Sequence, residues 1–408
     1  MTERAALLFY CQHSLGMGHL VRSLVLAAGF TERFRVVFLN GGPLPKGLKI
    51  PDGVRIVNLP PLGLGPDGRL LSRDGRRTVE RAQKVRLQTI LETYRALQPQ
   101  VVFIELFPFG RKKFAGELLP LLEATRDLNA PSRPLVCCSL RDILVGKKSD
   151  QQKHDERAVA VANKYFDAVM VHSDPEFARL EESLVSYKSL RTPVYYTGFA
   201  GAESRTGARV APTRHKQILV SAGGGLVGER LFRTAVEAYA LLGRTPDVRM
   251  KIIAGPFLPK EAWASLRAEA HARPGLSVER FVPDLCAEMR ASAASISQGG
   301  YNTTLDILRA AVPALVVPFA DGSEDEQLKR ARRLERRGAI RVLEQHELDA
   351  KRLAHEMRRL LDFKPRRLRL DLDGARNTAR IADSLLEARN QKQNVTFQRL
   401  SNEREVHP

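Results

Sequence analysis

At 408 residues, with 43% hydrophobic and 27% charged side chains, the chain is long enough for two or three domains and too apolar to be disordered. Its net charge of +19 points to an anionic partner. No apolar run reaches the roughly 18 residues that cross a bilayer, "MTERAALLFYCQ" lacks a signal-peptide layout, and the cysteines have no metal or redox spacing. The expected protein is soluble and cytoplasmic, with Cys11, Cys137, Cys138 and Cys286 as buried free thiols.

Apolar runs alternate with helical patterns throughout, which predicts parallel sheets flanked by helices. The first strand, 6–12, runs into "HSLGMGHLVR", where Gly16 and Gly18 permit a tight turn and His19 falls at a helix start. The positive end of that helix disfavours imidazolium, and a neutral ring is what a general base needs. Strands are predicted at 35–40, 54–59, 101–106, 135–140 and 168–173, with helices over 78–97, 113–128 and 151–165. This first half, 1–198, ends in a Gly/Ala-rich stretch, 199–215, that reads as a linker.

The second half, 216–375, repeats the pattern with strands at 217–222, 250–255, 276–281, 294–297, 314–319 and 339–344. Its first strand leads to "SAGGGLVGE". There Gly223, Gly225 and Gly228 spell GxGxxG, but neither half ends its second strand in the acidic residue a nicotinamide site wants. Ser221, Gly223, Gly224 and Gly225 suit a diphosphate instead, their N–H groups lying at a helix start. "SQGGYNTTLD" offers a second close approach at Gly299 and Gly300. Asn302, Thr303 and Thr304 supply a cap and donors, and Asp306 stands within reach of a sugar hydroxyl. Glu326 and Gln327 open the following helix. The acidic residues Glu324 and Asp325, and the pair Asp371 and Asp373, read as solvated surface, and no metal site is expected. A helix over 376–390, packing back on the first half, and a flexible tail over 391–408 complete the chain.

The positive charge has two concentrations. Residues 329–380 hold 17 Lys or Arg against 8 Asp or Glu, and Arg69, Arg73, Arg76, Arg77, Arg81, Lys84 and Arg86 form a second cluster. Solvated helix faces, an anionic lipid surface or a phosphorylated substrate would each account for them. Nucleic acid is not expected: RNP-like aromatics, zinc-finger spacing and a recognition-helix pattern are all missing.

Across 215–345, "SAGGG", "FVPDLCAEM", "SQGGYNTTLDILRAAVPALVVPF" and "EDEQLKRARRLERRGAIRVLEQ" come in an order that resembles glycosyltransferase family 28. "LGMGHLVRSLVLA" is similar to that family's first loop and to the GxGHxxR loop of nucleotide-sugar hydrolases. The resemblance implies a GT-B fold, two facing Rossmann-like domains of α/β class with mostly parallel sheets. It implies donor diphosphate at Gly223–Gly225 and along Gly299 and Gly300, uracil beside Phe281 and Val282, ribose on Asp306, and donor sugar or ribose at Glu326 and Gln327. His19 would act at the acceptor hydroxyl, with Arg141 and Asp142 on the acceptor side and Asp142 as an alternative base.

The expected activity is transfer of a hexosyl group, N-acetylhexosamine foremost, from a UDP-sugar used as co-substrate, with inversion and without a cofactor. The acceptor is expected to be anionic or lipid-linked, at the inner membrane face. A hydrolase or epimerase on the same fold, or a non-catalytic nucleic-acid or partner-binding protein, are the alternatives. The sequence leaves the oligomeric state open.

Overall fold

The computed structural model describes residues 4–13, 17–45, 47–65, 68–127, 133–144, 146, 150–201, 216–242, 248–319 and 325–405, without side chains after 391. Gly16, most of the expected linker (202–215) and Glu324 lie outside the described residues.

In the first half the strands are β1 (Ala6–Cys11), β2 (Arg35–Asn40), β3 (Val54–Asn58), β4 (Leu62–Leu64), β5 (Leu70–Ser72), β6 (Val101–Glu105), β7 (Leu135–Arg141), β8 (Ala168–His172) and β9 (Val194–Tyr196). Seven of them form one sheet in the order β3-β2-β1-β6-β7-β8-β9, while β4 and β5 pair apart as a hairpin. Every neighbouring pair in the large sheet is parallel. Such a sheet is covered on both faces, so its central strands are apolar throughout; all six residues of β1, "ALLFYC", are buried. Helices α1 (Gly18–Phe30), α2 (Val79–Leu97), α3 (Ala115–Ala124) and α4 (Gln151–Tyr165) supply the covering layers. Helix α2 starts where Thr78 accepts the Arg81 N–H at 3.3 Å, and stops at Gln98 in the left-handed conformation.

The second half arranges β10 (Lys216–Ser221), β11 (Val248–Ile253), β12 (Leu276–Glu279), β13 (Ala294–Ser297), β14 (Ala314–Val316) and β15 (Arg341–Val342) as β12-β11-β10-β13-β14-β15, again parallel. Its helices are α5 (Glu229–Leu241), α6 (Lys260–Ala272), α7 (Leu285–Ala291), α8 (Tyr301–Ala310), α9 (Glu326–Arg336) and α10 (Ala350–Leu361). In each half the strand order reverses beside the first strand, between β1 and β6 and between β10 and β13. Open α/β sheets bind ligands outside the carboxyl ends of strands at such reversals. Sequence reasoning missed β9 and the β4–β5 hairpin, each strand only three residues long, and gave β14 and β15 too many residues.

The last helix, α11 (Gly374–Glu405), crosses back to the first half. Ala379, Ala382 and Leu386 join the core formed by Leu26, Phe30 and Phe9, and Gly29 of α1 faces the Ala375 carbonyl so closely that a Cβ there would lie 2.8 Å from it. Arg33 pairs with Asp383. The helix runs on to Glu405. Asp371 is not mere solvated surface: its carbonyl accepts the Phe199 N–H at 2.7 Å and its carboxylate accepts from Asn377 at 2.9 Å, tying together the two places where the chain passes between halves. All four cysteines are free and buried.

A candidate active site between the two halves

The loop after β1 delivers His19 to the start of α1, and β6, next to β1 in the sheet, ends in Glu105. These two meet at the first half's reversal point, His19 Nδ1 lying 2.6 Å from Glu105 Oε1. The Nδ1–H therefore donates to the carboxylate, which leaves Nε2 as the basic nitrogen; Nε2 has no hydrogen-bond partner among the described residues. Burial lowers the His19 pKa to about 3 against the pull of Glu105, so the ring is neutral near pH 7. The neutrality expected from the sequence thus holds, with burial rather than the helix end as its leading cause. Burial alone would push the Glu105 carboxyl up, but His19, Arg111 and Arg22 outweigh it and hold it below the usual carboxylate range. Arg22 donates to Glu105 Oε1 at 2.6 Å and Arg111 to Oε2 at 3.3 Å. The turn that brings Arg111 back is costly: Leu106 and Arg111 both have positive φ, 67° and 58°.

The second half presents its glycine turns at the matching reversal. Gly223 and Gly225 have φ of 55° and 86°, and a Cβ on Gly225 would lie 2.1 Å from the Ala254 carbonyl. A Cβ on Gly223 would sit 4.0 Å from Thr303 Oγ1 of α8, so the "GGG" and "GGYNTT" segments line one crevice. The Gly225 N–H is already used on Ala222 O at 2.9 Å, so it is not the free donor the sequence reading made it. The Gly223 and Gly224 amides make no backbone hydrogen bond among the described residues. Ser221 Oγ is buried and unpartnered beside them, and Asn302 Oδ1 is likewise orphaned. Buried polar atoms normally have partners, and orphans gathered at one crevice mark where a ligand's groups would go. Gly300, not Asn302 or Thr303, is the N-cap of α8. Phe281 is 53% exposed at the rim while Val282 is buried. Burial, aided by Asp284 and opposed by Arg309, raises Asp306 to about 7.

The halves are joined through α9. Arg141 and Asp142, adjacent at the end of β7, reach Glu326 and Arg330, one turn apart on α9. Arg141 Nη1 lies 2.7 Å from Glu326 Oε1, and Arg330 donates to both Asp142 oxygens at 2.6 and 2.8 Å. Asp142 and Arg330 are fully buried, so this carboxylate is an interface anchor and not the alternative base the sequence reading allowed. Arg330 also donates to Gly299 O at 2.8 Å. Gln327 Oε1 accepts the Phe319 N–H at 3.1 Å. The Tyr301 ring carries the guanidiniums of Arg22 and Arg330 at 5.3 and 5.7 Å from its centroid, and its hydroxyl donates to His172 O at 2.9 Å. Asn302 Nδ2 donates to Gly18 O at 3.2 Å, which sets the donor-side turn against the His19 loop. Arg333 and Arg337 donate to the carbonyls of Phe177 and Glu176, so much of the basic α9 segment is spent holding the halves together.

Residues 219–385 match the family model described as the glycosyltransferase family 28 C-terminal domain. The second half is thus similar to that family's C-terminal domain, and the fold is GT-B. An uncharacterised glycosyltransferase of Methanopyrus kandleri is 30% identical over 172 residues, 42% of this chain and 45% of that one. The UDP-N-acetylglucosamine--N-acetylmuramyl-(pentapeptide) pyrophosphoryl-undecaprenol N-acetylglucosamine transferase of Acidithiobacillus ferrooxidans (strain ATCC 53993 / BNL-5-31) is 34% identical over 146 residues, 36% of this chain and 40% of that one. The chain thus spans less than half the length of these two relatives. The solved calicheamicin glycosyltransferase CalG4 superposes with a TM-score of 0.60 over 94% of this chain and 98% of its own at 17% identity, a likeness of fold.

Within this GT-B frame, sequence reasoning missed Glu105, Arg22, Arg111, Tyr301 and Arg330. Two signals were there: the i, i+3 spacing of His19 and Arg22 on one helix face, and an acidic residue closing the apolar strand "VVFIE". Among the described residues no group of three or more His, Cys, Asp or Glu is placed to hold a metal, and no helix is long and apolar enough to cross a membrane.

Proposed function

We propose that the chain is a glycosyltransferase that moves a hexosyl group, N-acetylhexosamine foremost, from a UDP-sugar to an acceptor hydroxyl with inversion. The observation that carries this reading is the neutral His19 ring held by the Glu105 carboxylate at one sheet reversal, brought against the glycine crevice of the other through the Asn302–Gly18 contact. His19 Nε2 takes the proton of the acceptor hydroxyl as its oxygen attacks the anomeric carbon; the bond to the diphosphate breaks and UDP leaves. The Gly223 and Gly224 amides stabilise the leaving charge, each well-placed donor contributing ~3–4 kcal/mol. Asp306 holds the ribose, Phe281 and Val282 border the base, and Glu326 and Gln327 approach the sugar, with neither cofactor nor metal in the scheme.

The acceptor is proposed to be anionic or lipid-linked and met at a membrane surface. Exposed Arg69, Arg73, Arg76, Arg77, Arg81 and Lys84 around Leu71, itself 40% exposed, support this, each cation contributing about 1 kcal/mol near an anionic surface. Arg86 is excluded from that face because it is buried against Glu117. Thermal unfolding with UDP, ADP, GDP and NAD tests the donor, and UDP should stabilise most. Rapid release of free sugar from UDP-N-acetylhexosamine without an acceptor would replace transferase by hydrolase.

A further inference from the structure

Along α9, residues of both halves line an open cavity of about 280 Å³. Arg179 of the first half faces Lys329, Arg332, Arg333 and Arg336 of α9 across it. The four α9 positions have the spacing i, i+3, i+4, i+7, which places them on one helix face, and like charges so placed destabilise a helix. Some have counterions: Lys329 pairs with Asp325 at 2.7 Å, Arg332 with Glu335 at 2.6 Å, and Arg333 with Glu182, the one acidic residue in the lining among those described. The two walls nonetheless keep one under-compensated cation each. Among the described residues Arg336 bonds only the Arg332 carbonyl, at 3.3 Å, and Arg179 reaches Glu181 only at 3.5 Å. The helix C-terminus favours Arg336 but does nothing for Arg179.

We infer that this cavity is an anion site, taking a phosphate group between Arg179 and Arg336 and so bridging the halves. Guanidinium forks match phosphate oxygens with two parallel hydrogen bonds, and the volume admits one phosphate group with water. The arginine pair is offset along α9 from the proposed donor crevice, although Leu328 and Lys329 at the near end of the cavity follow directly on Gln327. That crevice meets α9 at Gln327, whereas Arg332 to Arg336 lie about 8–14 Å further along the helix at 1.5 Å per residue. It stands whether or not UDP is the donor.

The test is thermal unfolding of the full chain titrated with inorganic phosphate, against chloride at matched ionic strength, in the native protein and in Arg179→Gln/Arg336→Gln. A saturable rise in Tm with phosphate is expected. In the variant its apparent affinity should weaken about tenfold or more, as losing two charge-assisted hydrogen bonds implies, while any UDP-induced rise is kept. Arg336→Gln alone, at an exposed position, serves if the double variant folds poorly. A phosphate response no larger than that to chloride, or unchanged in the variants, overturns the site. Given a positive titration, co-sedimentation with phosphatidylglycerol-containing vesicles assigns the source: loss in the variant identifies a lipid head group, and retention a soluble phosphate compound.

Discussion

Arg330 holds Asp142 through two hydrogen bonds, at 2.6 and 2.8 Å, across the boundary between the halves, and both side chains are buried. Removing one partner strands the other charge away from water. Arg330→Met should therefore destabilise the protein by about 3–5 kcal/mol in urea unfolding, and the pair Asp142→Leu/Arg330→Met by clearly less than the sum of its single changes. Additive effects would show that the pair does not act as a unit.

His19→Ala should lower kcat by about 10²–10⁴-fold and leave UDP affinity within a factor of about two. Glu105→Gln should lower kcat less, because Nε2 remains while the negative partner that stabilises the charged ring is gone. Single-turnover assays with a UDP-sugar separate the two effects.

Asp306 is raised to about 7, so in its proposed ribose-binding role protonation would compete with the nucleotide near neutral pH. Its carboxylate accepts from ribose hydroxyls only when ionised, and UDP should bind more tightly as pH rises from about 6 to 8. Calorimetry on Asp306→Asn should show weaker binding with that pH dependence gone.

His13 and His19 are lowered to about 4 and about 3, burial being the leading cause for both. Between these values and the ordinary 6.5 or so of the unfolded chain, the unfolded state binds the protons. Stability should thus fall as pH drops below about 6.5, each histidine contributing up to about 1.4 kcal/mol per pH unit. Urea midpoints at pH 7 and 5 measure the fall, and His13→Gln should make it shallower.

Gly223→Ala meets only an ordinary contact, Thr303 Oγ1 at 4.0 Å, but a φ of 55°, and should cost about 1–2 kcal/mol of stability while weakening UDP binding. Gly225→Ala drives a Cβ into the Ala254 carbonyl and should cost more. Equal melting temperatures for the two variants would contradict the packing described.

The sheets were legible because strands buried on both faces leave unbroken apolar runs, and the glycine crevice because both of its turns follow such runs directly. His19 stood out for the same reason. Its partners did not: Glu105 is 86 positions away and becomes its neighbour only through the β1–β6 pairing. Arg330 sits in a run of cations where nothing local distinguishes the buried one, and so its partner Asp142 looked free to act as a base. The Gly225 amide was misjudged because composition cannot tell which N–H a turn consumes.

Because α11 fills the groove over α1, the amino-terminal Rossmann unit cannot finish its core until the ribosome has made the chain as far as Leu386. While the roughly 350 residues between them are made, Phe30 and its neighbours wait without the helix that will cover them. Nascent chains should need protection there, and a fragment ending at the domain boundary is a poor substitute for the native lobe.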